Sequence, residues 1–278
     1  VSTESGGVLV SRIGETFAHL RRDRRTGLVT YVTAGDPDPQ RSAAILQALD
    51  RSGADVIEVG VPFSDPLADG PVIQRATERA LAAGTSLTTV LEMLERIRPT
   101  LRVPLVLFTY ANPVLRMGPE AFGRRAAEVG VDGVLILDLP VEEAGEFRQS
   151  MADRGIDMIF LLSPTTTTER IRRAGELGRG FLYGISRLGV TGVRDQVAPG
   201  AQELAARIRA ETSLPLALGF GISRPEHVRQ IGQWADAAVV GSGLVQVIAQ
   251  NTAAPDLIGR VESYVRWLKG EDSLAHDD

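Results

Sequence analysis

A chain of 278 residues, 44% of them hydrophobic and with a formal net charge of −5, has room for one large globular domain or two small ones. The absence of cysteine excludes a disulfide framework, a thiolate nucleophile and a thiolate metal site, and the acidic balance argues against nucleic acid as the main partner. No apolar run approaches the roughly 18 residues of a membrane span and no basic-then-apolar leader opens the sequence, so a cytoplasmic location is expected.

Residues 10–24 predict a helix, and the basic cluster RRDRR (21–25) reads as its solvated end. Eight short apolar runs then recur: LVTYVTA (28–34), ADVIEVG (54–60), VPLVLFTY (103–110), VDGVLIL (131–137), IDMIFLL (156–162), RGFLYGI (179–185), LPLALGF (214–220) and ADAAVVG (235–241). Amphipathic stretches such as PQRSAAILQALDRSG and PEHVRQIGQWA separate them, and SLTTVLEMLERIRPTL adds a helix before the third run. A C-terminal helix is predicted over 255–269. Strands this apolar, alternating with helices, belong to a parallel sheet covered on its faces. Eight such units in this length predict an α/β fold, a (β/α)8 barrel with an extra N-terminal helix and extra helices between strands. A doubly wound open sheet is disfavoured because no GxGxxG follows the first strand. GADVIEVG, GVDGVLIL and WADAAVVG share a small-Asp-x-x-hydrophobic lead into a strand. No linker interrupts the pattern, so residues 1–278 are assigned to a single domain with frayed ends at about 1–8 and 270–278.

Two residue counts narrow the chemistry. The three histidines, His19, His227 and His276, form no spaced pair, so a metal site or a catalytic triad built on histidine is not expected. The one lysine, Lys269, sits in a predicted surface helix, which argues against Schiff-base chemistry. Carboxylates, tyrosines and backbone amides remain.

The most informative stretch is IEVGVPFSDPLADGP (57–71), an apolar strand that carries a charge. Strand alternation puts Val56, Glu58 and Gly60 on one face. If Ile57 and Val59 face the helices, Glu58 points into the barrel near its C-terminal mouth, where catalytic groups of such barrels gather. Burial there raises a carboxyl pKa toward neutrality; the alternative is a structural carboxylate paired with an arginine or capping backbone amides. Asp69, in the loop that follows, reads either as a second acid over the mouth or as a turn or cap residue before Gly70 and Pro71. Asp65 lies in SDP, a common turn. Glycine clusters at 189–192, 219–223 and 241–243 follow the last strands, and Ser242 opens a short helical pattern. Such amides at a helix N-terminus suit a phosphate; the alternative is ordinary tight turning. Tyr31, Phe108, Tyr110, Tyr183 and Phe220 stand near strand ends, as core or as walls for a flat apolar group.

IEVGVPFSDPLADGP closely resembles the signature of the tryptophan synthase alpha subunit family. YVTAGDPD (31–38), YANPVL (110–115), DLPVEE (138–143), SRLGVTG (186–192), GFGIS (219–223) and VVGSG (239–243) match in order, over roughly residues 10 to 250. The resemblance implies a (β/α)8 barrel and retro-aldol cleavage of indole-3-glycerol phosphate to indole and D-glyceraldehyde 3-phosphate. It implies Glu58 as general acid/base, Asp69 at the indole nitrogen and Tyr183 lining the same site. Gly192, Gly221, Gly241 and Ser242 match phosphate-binding positions, and Thr191 matches the covering loop. Tyr31, Phe108, Tyr110, Leu137 and Phe220 would surround the ring. The family implies no cofactor or metal in this chain. Pyridoxal phosphate is expected only in a partner beta subunit, docked at the loop of Pro62, Asp65 and Pro66 in an alpha2-beta2 complex. Leu137 stands where the family favours alanine or proline, Phe108 where it favours an aliphatic residue, and Ser163 where alanine is common. A stand-alone lyase releasing free indole is the alternative role.

Overall fold

The computed structural model describes residues 11–185, 197 and 200–271. In chain order its elements are α1 (Arg12–Arg22), β1 (Gly27–Thr33), α2 (Pro39–Arg51), β2 (Val56–Gly60), α3 (Pro71–Ala82), α4 (Leu87–Ile97), β3 (Leu105–Thr109), α5 (Ala111–Met117), α6 (Pro119–Glu128), β4 (Gly133–Ile136), α7 (Gly145–Ala152), β5 (Asp157–Leu162), α8 (Thr168–Leu177), β6 (Leu182–Ile185), α9 (Ala201–Glu211), β7 (Leu216–Gly219), α10 (Pro225–Ile231), β8 (Ala237–Val240), α11 (Ser242–Gln250) and α12 (Leu257–Leu268). The eight strands pair in parallel, in sequence order, and β8 closes onto β1. This is the expected (β/α)8 barrel. Its extra helices are α1, the α3–α4 and α5–α6 pairs, and α11 with α12 after the last strand.

Local chemistry fixes the helix starts. Side chains of Ser11, Asp38, Ser86 and Thr167 accept backbone N–H groups at the N-termini of α1, α2, α4 and α8, satisfying donors that have no partner within the helix. Proline opens α2, α3, α6 and α10, where its missing N–H costs nothing.

Strand alternation divides the core in two. Leu28, Val32, Ile57, Val59, Leu105 and Leu107 belong to the cluster between strands and helices. Val29, Val56, Val106, Leu135, Ile159 and Val239 fill the barrel interior. Ile13, Phe17 and Leu20 of α1 join that inner cluster, and the Phe17 ring packs 5.3 Å from Phe181. Helix α1 therefore stops the N-terminal end of the barrel and leaves the C-terminal end as the mouth.

The repeated aspartates of the sequence have a common task. Asp55 accepts the Leu28 N–H at 2.8 Å, Asp132 the Leu105 N–H at 2.8 Å and Asp236 the Leu216 N–H at 2.7 Å. Each side chain, just before its own strand, ties down the first turn of hydrogen bonding on the strand before it.

Candidate active site

Glu58 lies in the middle of β2, in register with Tyr31 on one side and Val106 on the other. It is fully buried, and neither carboxylate oxygen has a hydrogen-bond partner. The expected alternative, a structural carboxylate paired with an arginine or capping backbone amides, is thus excluded. Burial alone pushes its pKa up to about 8. An unpaired buried carboxylate costs several kcal/mol if ionised, on the order of what is seen for buried charges in general, so the group rests protonated at neutral pH. Stability gives no reason for an acid here, and such groups concentrate at functional sites.

Two tyrosines stand close to it. Tyr31 is buried, its hydroxyl 3.4 Å from Thr33 Oγ1, and its ring meets Phe108 edge-on at 5.1 Å. Tyr183 is half-buried against the inner cluster, together with Phe108, Leu137 and Leu161. Burial holds both phenols well above their ordinary pKa, with the Glu58 charge adding to the effect. Room for these rings comes from glycine. A Cβ on Gly60 would sit 2.2 Å from the Tyr31 hydroxyl, and one on Gly219 would sit 2.6 Å from that of Tyr183. Neither role was visible in the sequence, where Gly60 reads simply as the strand's end.

Asp69 reaches the mouth from the loop after β2. It is 8% exposed and does not cap α3, whose N-cap is Gly70. Its Oδ2 instead accepts a hydrogen bond from the Tyr110 hydroxyl at 3.2 Å. Burial lifts its pKa to about 6, against the lowering effect of that hydrogen bond. Burial thus raises both carboxyls, Glu58 further than Asp69.

Across the mouth, α11 begins at Ser242 with Gly241 as N-cap, and among the described residues no side chain caps its first amides, which carry the positive end of the helix dipole. Gly221 has φ +77, a left-handed conformation that disfavours other residues. The turn beside it is braced from behind: the Ser223 N–H donates to His227 Nδ1 at 3.3 Å, and the Tyr264 hydroxyl donates to the Ser223 carbonyl at 3.1 Å. His227 and Tyr264 were not legible as site support, because nothing in their spacing points to this turn. A cleft of about 330 Å³ also opens at the ends of β4–β6, lined by Leu137, Asp138, Leu161, Ser163 and Ile185 among others.

Two expectations change. Phe220, the residue after the end of β7, belongs to the cluster between strands and helices and is fully buried there, apart from the barrel-interior cluster that Tyr183 and Leu137 pack against. Pro62 is buried at the base of its loop and cannot face a partner, whereas Asp65 is exposed and Pro66 half-buried. Leu67, not singled out in the sequence, is 81% exposed at the loop's tip. Thr191 and Gly192 lie outside the described residues. Among the described residues, no cluster of three or more histidine, aspartate or glutamate side chains is placed to hold a metal ion, and no helix is long and apolar enough to cross a membrane.

A closed parallel barrel with a buried carboxyl, a second carboxylate and a helix N-terminus without a side-chain cap at one mouth is the architecture of a (β/α)8-barrel enzyme. The family model described as tryptophan synthase alpha chain matches residues 17–269. A tryptophan synthase alpha chain from Solibacter usitatus is 50% identical over 260 residues, covering 94% of this chain and 97% of that protein. One from Arabidopsis thaliana is 42% identical over 258 residues, covering 92% and 94%. The structure of Mycobacterium tuberculosis tryptophan synthase superposes with a TM-score of 0.85 at 37% identity, over 96% of this chain and all of that one. The chain belongs to the tryptophan synthase alpha chain family.

Proposed function

We propose that this chain carries out the lyase reaction of its family, cleaving indole-3-glycerol phosphate to indole and D-glyceraldehyde 3-phosphate in tryptophan biosynthesis. The observation that carries the reading is Glu58, a fully buried carboxyl without a hydrogen-bond partner, whose pKa of about 8 suits it to deliver a proton at neutral pH. In the proposed cycle Glu58 protonates the ring at C3 and takes a proton from the side-chain hydroxyl. The hydroxyl carbon becomes the aldehyde carbon as the bond to C3 breaks, and that electron pair returns to the ring. One proton given and one taken leave Glu58 as it began. Asp69, ionised at the same pH, accepts the indole N–H and stabilises the positive charge of the protonated ring. Tyr183, Tyr31, Phe108, Tyr110 and Leu137 wall the ring, and the amides around Gly221, Gly241 and Ser242, with Gly192 and Thr191, hold and cover the phosphate.

Because the ring is its own electron sink, the proposed reaction needs no metal or cofactor on this chain. The sole lysine supports this, lying at the end of α12 with its Nζ 3.4 Å from Glu271 and in reach of Gly53, outside the mouth. Pyridoxal phosphate would reside in the beta subunit, which we take to dock on the Asp65–Leu67 loop tip in an alpha2-beta2 complex in the cytoplasm, with residues 1–278 as one barrel domain. The test is indole release from indole-3-glycerol phosphate by the purified chain and by Glu58→Gln. A Glu58→Gln protein that folds and turns over near normally would overturn the assignment.

A further inference from the structure

We propose that the Tyr110 hydroxyl is the positioning group for Asp69, fixing the direction of this loop-borne carboxylate at the barrel mouth; the inference rests on Asp69 serving the reaction described above. Glu58 stands on a strand and needs no such help. Asp69 stands on a ten-residue connection between β2 and α3. Its backbone is held from its own side, its N–H donating to the Pro66 carbonyl at 3.0 Å and its carbonyl accepting from Gln74 Nε2 at 2.9 Å. Neither bond sets where the carboxylate points.

Tyr110 does. Its oxygen accepts the Ala68 N–H at 3.0 Å, and its proton goes to Asp69 Oδ2 at 3.2 Å. With a lone pair engaged by one loop residue and the proton by the next, the hydroxyl reads the loop at two successive positions. Its ring packs 5.2 Å from Phe63, at the start of the same loop. The tyrosine itself is firmly mounted: it is the N-cap residue of α5, and the next N–H, of Ala111, donates to Asp138 Oδ1 at 2.7 Å. Tyr110 thus joins the loop after β2 to the ends of β3 and β4. The ionisable groups around the carboxylate are Tyr110 and Tyr31, with Glu58 beyond Tyr31 and Asp138 beyond Tyr110. Among the described residues no cation acts on it, and Tyr110 is the one group that favours its charged form.

The experiment compares Tyr110→Phe, Asp69→Asn and the double variant by steady-state indole formation across pH, with circular dichroism to confirm folding. Tyr110→Phe should lower kcat about tenfold at pH 7, the usual worth of one hydrogen bond to a charged group, and raise the acid limb of the profile by about one pH unit. The double variant should be no slower than Asp69→Asn alone, since the hydroxyl acts through the carboxylate. An unshifted acid limb in Tyr110→Phe, with Asp69→Asn still impaired, would overturn the positioning role and leave the Asp69 assignment standing. Near-normal turnover in Asp69→Asn would overturn both.

Discussion

At the residue scale, Glu58 sets a pH dependence for both activity and stability. In the proposed cycle turnover needs Glu58 protonated, with a pKa of about 8, and Asp69 ionised, with a pKa of about 6. A plot of kcat/KM against pH should therefore be bell-shaped, falling below the Asp69 limb and above the Glu58 limb. Glu58→Gln keeps the shape and removes the proton, so turnover should drop by about 10²–10⁴-fold while substrate still binds. The same burial acts on folding. Between the unfolded carboxyl pKa and about 8 the folded chain holds a proton at Glu58 that the unfolded chain has released. Stability contributed by the protonated group is therefore present in full at low pH and is lost as pH rises through that window. Glu58→Gln should match the wild type near pH 4 and exceed it above pH 8 by about 2–5 kcal/mol. Urea denaturation at the two pH values checks this; a wild type that is equally stable relative to the variant at both would show that Glu58 is not protonated in the folded protein.

At the element scale, each strand end is shaped by what its glycine allows. Gly219 ends β7 where the Tyr183 hydroxyl lies, so Gly219→Ala must displace the tyrosine. Overpacking of this kind costs about 1–3 kcal/mol, and we expect kcat/KM to fall at least about tenfold with the far-ultraviolet spectrum unchanged. Gly241 differs: a Cβ there would meet Tyr31 at an ordinary 3.6 Å, so the fold tolerates alanine. Gly241→Asp, however, brings a negative charge to the first turn of α11, where the phosphate is proposed to sit. Calorimetric titration should show binding of glycerol phosphate sharply weakened; unchanged affinity would move the phosphate elsewhere.

At the scale of the whole molecule, α1 closes one end of the barrel and the loops gather at the other. The loop after β2 contributes twice, with Asp69 turned in and Asp65, Pro66 and Leu67 turned out. Leu67 is 81% exposed, an unusual place for leucine without a partner nearby. A beta subunit that binds the arrangement with Asp69 over the ring more tightly than others would shift the population toward it. Coupling of about 1–3 kcal/mol corresponds to roughly 5–150-fold. Indole formation should rise across a titration of beta subunit, and Asp65→Ala should reduce that rise more than the basal rate. A flat titration with high activity from the chain alone would favour a stand-alone lyase.

The sequence by itself determined the barrel. Eight apolar runs, each long enough for one strand and separated by amphipathic helices, leave few other ways to bury both faces of a parallel sheet, and all eight became strands. It also singled out Glu58, because a carboxylate within VIEVG has no local explanation, and it marked Asp55, Asp132 and Asp236 as a repeat before their hydrogen bonds were known. It left Asp69 and the glycine-rich turns as candidates with ordinary alternatives, and resemblance then gave them roles. Tertiary structure alone decided the rest. Phe220 and Tyr183 are both aromatics near strand ends, yet Phe220, just past β7, packs into the outer cluster and Tyr183, on β6, packs against the inner one. Pro62 and Pro66 are alike in the sequence, yet one is buried beneath the loop. Gly60 and Gly219 matter only because tyrosines from other strands fill the space above them, and the Tyr110 hydroxyl matters only because the chain folds Asp69, 41 positions away, against it. Periodicity encodes which side of its own element a residue faces. It carries no record of which distant side chain will be waiting there, since closure of the barrel makes those contacts.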